Sequence, residues 1–147
     1  MQEDLINSEV YKQIDMLIFQ EHFIDSHSNT KATCDWRVVY PTSFLSCSRA
    51  ICSVILVRSL MDTNCWVQIS VPSTRDMVAI QIGAGLGKVT IFGLYIDCHH
   101  SNTLCLLNTY LTTHKTITSL GPSNHSFWCG DFNCHHPHFR LSNVRPY

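Results

Sequence analysis

The feature that most constrains the fold is a series of short segments rich in Val and Ile, each bounded by residues that favour turns. The clearest of them read AICSVILVR, CWVQISV, DMVAIQI and KVTIFGLYI. Runs of this length and composition, separated by Ser, Asn, Pro, Asp and Gly, are typical of β-strands. The sequence therefore predicts strands over residues 14–21, 36–41, 50–58, 65–71, 76–82, 88–96 and 126–130.

Two segments, residues 2–13 and 101–114, instead have apolar residues at helical spacing. In the second of them Leu104, Leu107 and Leu111 share one face, and a Ser-Asn pair at its start can cap the helix. The order helix, six strands, helix, strand predicts a mixed α/β fold in which a sheet covers a layer of helix. A length of 147 residues suits one domain, so we expect residues 1–147 to form a single unit.

The composition is that of a globular protein with 45% hydrophobic and 14% charged residues, and it excludes a disordered chain. A formal net charge of −1 argues against strong non-specific binding to nucleic acid through charge alone. The sequence contains no apolar run of membrane-spanning length, and its start lacks the cationic and then apolar order of a signal peptide. We therefore expect an intracellular protein, nuclear or cytoplasmic, whose eight cysteines are free thiols.

The glycine-rich stretch GAGLGK, residues 83–88, follows a strand and invites comparison with nucleotide-binding loops. Lys88 stands where a dinucleotide fingerprint needs Gly, and Ile82 stands where a P-loop needs Gly. The stretch also leads into a predicted strand rather than a helix, so no helix N-terminus follows to receive a phosphate. A hairpin turn between two strands is the better interpretation.

The segment WCGDFNCHHPHF, residues 128–139, has two competing interpretations. The first is a zinc site that uses Cys129, Cys134 and nearby histidines, although the sequence contains no C-x-x-C pair. If the segment is extended, at about 3.3 Å per residue the two cysteines lie about 16 Å apart and cannot share an ion. A reverse turn at Gly130 would bring them closer, so the zinc interpretation stays open.

The second interpretation treats the same segment as the end of a strand. Because side chains alternate along a strand, Asp131 and Asn133 would then face one side and Phe132 the core. Glu21 likewise ends an apolar run, where a carboxylate is costly unless a cation offsets its charge. A bound Mg²⁺ would do so, since it takes one or two carboxylates together with substrate phosphate oxygens. The alternative is that both acidic residues are solvated turn residues.

Several stretches together resemble the endonuclease/exonuclease/phosphatase superfamily, which has a DNase I-like fold, and especially its branch in non-LTR retroelements. They are DMLIFQE, NTKATCDWRVVYPT, SRAICSVILVR, WVQISVPSTRDMVAIQI, IFGLYIDCHHSNTLCLLNTYL and WCGDFNCHHPHF. The resemblance extends from about Ile14 to Phe139 and implies a four-layer α/β sandwich. It also implies an Mg²⁺-dependent phosphodiesterase, with Mn²⁺ as an alternative ion, that hydrolyses a nucleic-acid backbone such as DNA.

The resemblance also implies a role for each matching residue. Glu21 would bind the metal, and Tyr95 would donate a hydrogen bond to the phosphate. Asp131 would activate the attacking water, while Asn133 would orient that water or the phosphate. The histidines that follow would be positional rather than ligating.

The sequence also departs from the family pattern. The family begins with a strand that carries an Asn near the metal and ends with a Ser-Asp-His segment, and neither matches here. We therefore expect a domain truncated at both ends, derived from a mobile element and retaining little or no activity. The alternative function is a non-catalytic fragment whose uncovered sheet face binds a partner or a second copy.

Overall fold

A computed structural model of the chain describes residues 2–27, 29–44, 51–72, 74–84, 87–97, 102–114 and 123–132. Its helices are α1 (Gln2–Asn7) and α2 (Asn102–Thr113), with a short 3₁₀ helix (Glu9–Gln13) after α1. Its strands are β1 (Met16–Gln20), β2 (Trp36–Val39), β3 (Ser53–Arg58), β4 (Trp66–Ile69), β5 (Met77–Ala84), β6 (Gly87–Tyr95) and β7 (Asn124–Asp131). This element order confirms the mixed α/β fold predicted from the sequence.

The first sheet has the strand order β1-β3-β2, and both of its pairings are antiparallel. Its central strand β3 is buried from Ser53 to Val57, as expected for a continuous apolar run covered on two faces. The outer face of this sheet packs on the N-terminal helices through Ile6, Trp36 and Leu56. The Trp36 indole Nε1 donates a hydrogen bond to the carbonyl oxygen of Ile6 at 3.4 Å, which ties α1 to β2.

The second sheet has the order β4-β5-β6-β7. Strands β5 and β6 form the predicted hairpin, because Ala84 pairs with Gly87 across the GAGLGK stretch. Strand β7 instead runs parallel to β6, and α2 connects the two, as parallel neighbours require a crossover. Leu107 and Leu111 of α2 pack on the cluster formed on the outer face of this sheet, which confirms the predicted apolar face of the helix.

The two sheets pack face to face, so the layers run helix, sheet, sheet, helix. Side chains from both sheets form the central cluster: Val39, Ile55, Val57, Val78 and Ile80. Gly93 on β6 lies close to the first sheet, since an added Cβ would stand 3.0 Å from the Ile18 side chain and 3.1 Å from the Ser53 hydroxyl. Gly93 therefore lets β6 approach β1 just below the carboxyl ends of both strands.

Strands β1 and β7 lie at the edges of their sheets and contact each other across the sandwich. Within the described residues each of them has a hydrogen-bonded neighbour on one side only. Both strands end at the same edge of the molecule, which is where the sequence places its candidate acidic residues.

Candidate functional site

Tyr95 and Asp131 are the last residues of two neighbouring strands. They are paired in the parallel register of β6 and β7, so their side chains lie on the same face of the sheet. Neighbouring strands of a sheet are about 4.8 Å apart. That face is the one turned toward the first sheet, because a Cβ added at Gly93, two residues before Tyr95, would stand 3.0 Å from the Ile18 side chain of β1. The backbone N–H of Ile96 donates to the Asp131 carbonyl at 2.9 Å and holds the two strand ends together.

Glu21 directly follows β1 on the facing sheet. Its backbone φ is +46°, in the left-handed region that residues other than Gly adopt infrequently and at a cost of about 1–2 kcal/mol. The Glu21 N–H donates to the Cys52 carbonyl at 2.9 Å, so pairing with the chain before β3 maintains this conformation. The turn directs the exposed carboxylate of Glu21 toward the second sheet.

The Tyr95 hydroxyl donates a hydrogen bond of 2.6 Å to Oε1 of Glu21 and joins the two sheets at the candidate site. This distance is typical of a hydroxyl donating to an ionised carboxylate, which is stronger than a neutral hydrogen bond. The hydrogen bond to Glu21, with smaller effects from burial and nearby acidic groups, raises the pKa of Tyr95 well above its usual value. The phenol therefore keeps its proton at neutral pH and remains a donor.

Cys52 and Asp76 line the floor beneath these residues. Asp76 precedes β5, and its carboxylate accepts a 2.7 Å hydrogen bond from Thr103 of α2 and lies 3.5 Å from Nε of Arg75. The Asp76 carbonyl also accepts the N–H of Tyr95 at 2.8 Å. Asp76 thus joins α2 to the strand end that presents the Tyr95 hydroxyl.

Burial raises the pKa of the Cys52 thiol to about 12, with a further contribution from the negative charge of Asp76. The thiol is therefore protonated at neutral pH and is a poor metal ligand or nucleophile. Sequence reasoning did not identify either residue as part of the site. The signal was their position directly before the apolar runs of β3 and β5, since antiparallel pairing places those strand starts beside the end of β1 or β6.

The predicted site residues can now be placed. Glu21, Tyr95 and Asp131 converge at one edge of the sandwich, whereas Asn133 lies outside the described residues. Of the two cysteines in the zinc interpretation, Cys129 is half-buried in β7 opposite Gly93, and Cys134 lies outside the described residues. The zinc interpretation therefore remains untested.

The carboxylates at this edge suit an ion such as Mg²⁺, which is bound only partly by protein, rather than an ion that needs all of its ligands from protein side chains. Across the described part of the chain, no group of three or more His, Cys, Asp or Glu side chains is arranged to hold a metal ion. Mg²⁺ is commonly held by one or two carboxylates, with substrate phosphate and water completing its shell. The exposed carboxylates of Glu21 and Asp131 meet that requirement.

None of the described helices is long and apolar enough to cross a membrane.

The architecture is similar to that of the endonuclease domain of TRAS1, a telomere-specific non-LTR retrotransposon, with a TM-score of 0.57 and 18% sequence identity. The similarity covers 88% of this chain and 53% of that chain, so this chain spans about half the length of its structural neighbour. Comparisons with protein-family models and with curated proteins find no match. The likeness establishes the fold as a partial DNase I-like α/β sandwich.

Proposed function

We propose that this chain binds the phosphodiester backbone of nucleic acid at Glu21, Tyr95 and Asp131 and hydrolyses it slowly with Mg²⁺. The hydrogen bond between Tyr95 and Glu21 carries the proposal, because it brings a protonated phenol and a carboxylate from two sheets to one accessible edge. The pairing of Tyr95 with Asp131 adds a second carboxylate to that edge. The DNase I-like fold agrees with this assignment, and the resemblance described above suggests the reaction.

Each residue has a distinct task in this proposal. Glu21 would hold Mg²⁺, which supplies charge neutralisation at the phosphate. Asp131 would take the proton of the attacking water as a general base. The Tyr95 hydroxyl has one proton, which it donates to Glu21 in this structure. With Glu21 engaged by the ion, the hydroxyl would turn to donate to a non-bridging phosphate oxygen, a contact that needs the phenol protonated at the working pH. Asn133 would orient the water, a role that rests on the resemblance alone.

We expect the rate to be low. These 147 residues contain no Ser-Asp-His segment, which the resemblance places at the scissile phosphate. Loss of one positioned acid, base or electrostatic group typically lowers a rate by about 10²–10⁴-fold. Slow nicking of DNA is therefore the expected activity of this chain alone.

The experiment measures nicking of supercoiled plasmid and cleavage of an abasic oligonucleotide in MgCl₂, with EDTA as the metal-free comparison. Wild-type protein should nick the plasmid only with the metal, and Asp131→Ala should reduce the activity to the reagent background. Asp15→Ala is the matched control, because Asp15 is an exposed acidic residue at the opposite end of β1 from Glu21. Equal nicking by wild type and Asp131→Ala, or nicking that persists in EDTA, would refute the proposal.

A second candidate function is self-association through the edge of the second sheet that carries β7, which has no further strand neighbour among the described residues. Phe127 on β7 has 57% of its surface exposed, although it lies on the face of the sheet turned toward β1. An exposed aromatic side chain on an edge strand favours pairing with another chain. Sedimentation velocity of wild type should show a dimer that Phe127→Ser abolishes. Leu60→Ser, at an exposed turn residue, should leave the dimer unchanged. A monomeric wild type would rule this candidate out.

A further inference from the structure

A compact hairpin, described at residues 23–27 and 29–31, follows Glu21 and is called here the Phe23 hairpin. Its two arms meet in an isolated β-bridge between Ile24 and Thr30. At its tip the Asp25 carboxylate accepts the backbone N–H groups of His27 and Asn29, at 2.8 and 2.9 Å. A side chain that satisfies two backbone donors fixes the turn locally, so the hairpin is ordered without a large core.

Gln2 of α1 anchors both arms of the Phe23 hairpin with one side chain. Its Oε1 accepts the backbone N–H of Phe23 at 2.8 Å. Its Nε2 donates to Oγ1 of Thr30 and to the carbonyl of Lys31, each at 3.0 Å. Because both ends of the amide are used, the hairpin is held in one position relative to the sheet that carries Glu21.

The Phe23 ring is exposed on this rigid support. Its exposed fraction is 49%, and the Lys31 ammonium lies 4.5 Å from the ring centroid on one face. Lys31 also forms an ion pair with Glu3, which helps to hold the ammonium over that face of the ring. The ring therefore has one face engaged by a cation and retains accessible surface, instead of being buried as a phenylalanine usually is.

The distance from the candidate site suits a polymeric substrate. Phe23 lies two positions after Glu21, so their Cα atoms are at most about 7 Å apart. Successive nucleotides rise by about 3.4 Å in a stacked duplex and lie further apart in an unpaired strand, so one or two of them cover this distance. A strand whose phosphate lies at Glu21 and Tyr95 would therefore pass within reach of the Phe23 ring.

We propose that Phe23 is a stacking platform for an unpaired base close to the phosphate held at Glu21 and Tyr95. The inference rests on the proposed function for the position of that phosphate. An aromatic ring stacks on a base only when the base is free of its own duplex neighbours, so the platform selects single-stranded or locally opened nucleic acid. Lys31 covers one face of the ring, so a base would stack on the other face.

The probe is a single-stranded DNA of twelve nucleotides with 2-aminopurine at successive positions, and its duplex form is the comparison. Binding is measured in MgCl₂ by fluorescence anisotropy and by quenching of 2-aminopurine, at times too short for the slow hydrolysis to cut the probe, so neither signal depends on cleavage. Wild type should bind the single strand more tightly than the duplex and should quench the probe at one or two neighbouring positions.

The variants separate stacking from packing. Phe23→Leu keeps an apolar side chain but removes the aromatic face, and it should weaken binding by about 5- to 100-fold and abolish the quenching. Phe23→Tyr keeps the face and should preserve both signals. Val67→Ala removes exposed apolar surface elsewhere, on β4, and should behave as wild type. Circular dichroism melting verifies that each variant is folded.

The outcomes also distinguish this inference from the proposed function. Mg²⁺-dependent nicking that requires Asp131, together with unchanged binding by Phe23→Leu, would refute the platform and leave the proposed function standing. Quenching that depends on Phe23 in a protein that never nicks DNA would support the platform and refute hydrolysis. Absence of single-strand binding by wild type, or equal binding by wild type and Phe23→Leu, overturns the platform.

Discussion

Gly130 controls where Asp131 lies, and replacing it with alanine should break the end of β7. Its φ is +154°, a conformation that side chains other than glycine's rarely adopt. A Cβ added there would stand 1.8 Å from the carbonyl oxygen of Leu94 on the neighbouring strand. Because that obstacle is backbone rather than a flexible side chain, β6 and β7 must separate by more than 1 Å for the methyl group to fit.

The cost of Gly130→Ala has two parts. A residue forced into a φ region reserved for glycine stores about 1–3 kcal/mol. Separation of the strand ends also disrupts the 2.9 Å hydrogen bond from Ile96 to the Asp131 carbonyl and a neighbouring bond of the ladder, each worth about 1 kcal/mol. The free energy of unfolding should therefore fall by about 3–5 kcal/mol, a large part of the 5–15 kcal/mol typical of a domain.

Urea denaturation followed by circular dichroism measures this loss, and Gly83→Ala is the matched control. Gly83 lies in β5 with nothing within 4 Å of an added Cβ. Alanine there should leave stability unchanged or raise it by about 0.4–1 kcal/mol through a less flexible unfolded chain.

The result that would refute the reasoning is a Gly130→Ala midpoint and slope that match those of Gly83→Ala. A Gly130→Ala protein that unfolds in two steps would instead show that β7 separates from an otherwise folded sandwich. In that case Asp131 should be lost from the site before the rest of the structure unfolds.

Three further predictions follow from the contacts at the site and the hairpin. Burial and nearby negative charge raise the pKa of Cys52 to about 12, so iodoacetamide at pH 8 should label the exposed Cys65 at least about tenfold faster than Cys52. Mass spectrometry measures the two labelling rates, and comparable rates would contradict this. The raised pKa of Tyr95 stabilises the fold fully below pH about 10 and less as pH rises further. Wild type should therefore lose more unfolding free energy between pH 9 and 12 than Tyr95→Phe, which has no phenol to ionise beside Glu21. Equal losses of unfolding free energy in the two proteins would refute the assignment. Gln2→Ala removes three hydrogen bonds from the Phe23 hairpin and should cost about 1–2 kcal/mol in urea denaturation and speed proteolysis within residues 23–31; an unchanged cleavage pattern would show that the hairpin is held by other contacts.

The sequence predicted the strands because composition alone favours them. Exposure of the four apolar side chains in SVILV to water would be unfavourable, and β3 is correspondingly buried from Ser53 to Val57. The positions of Glu21 and Asp131 at strand ends also followed from the sequence, since each interrupts an apolar run at its carboxyl end. Local patterns of this kind depend on neighbouring residues and can be read without knowledge of the tertiary structure.

The meeting of those strand ends could not be predicted from residue patterns. Nothing in the composition of β1 and β6 states that they belong to different sheets, and both are short runs of similar residues. The sequence did not indicate that Cys52 and Asp76 belong to the site either. They directly precede β3 and β5, whereas the predicted site residues lie at the ends of strands. The accessible ring of Phe23 depends on a contact with Gln2, which lies 21 residues earlier in the chain.

The hydrogen bond between Tyr95 and Glu21 joins residues 74 positions apart in the chain. Contacts of such sequence separation form late in folding, because the entropy of closing a long loop must be offset before they contribute. Each sheet can order its own strands before this bond exists, but the bond requires both sheets to be docked. We therefore expect the candidate site to be among the last parts of the molecule to assemble, and to be lost on heating together with the packing of one sheet on the other.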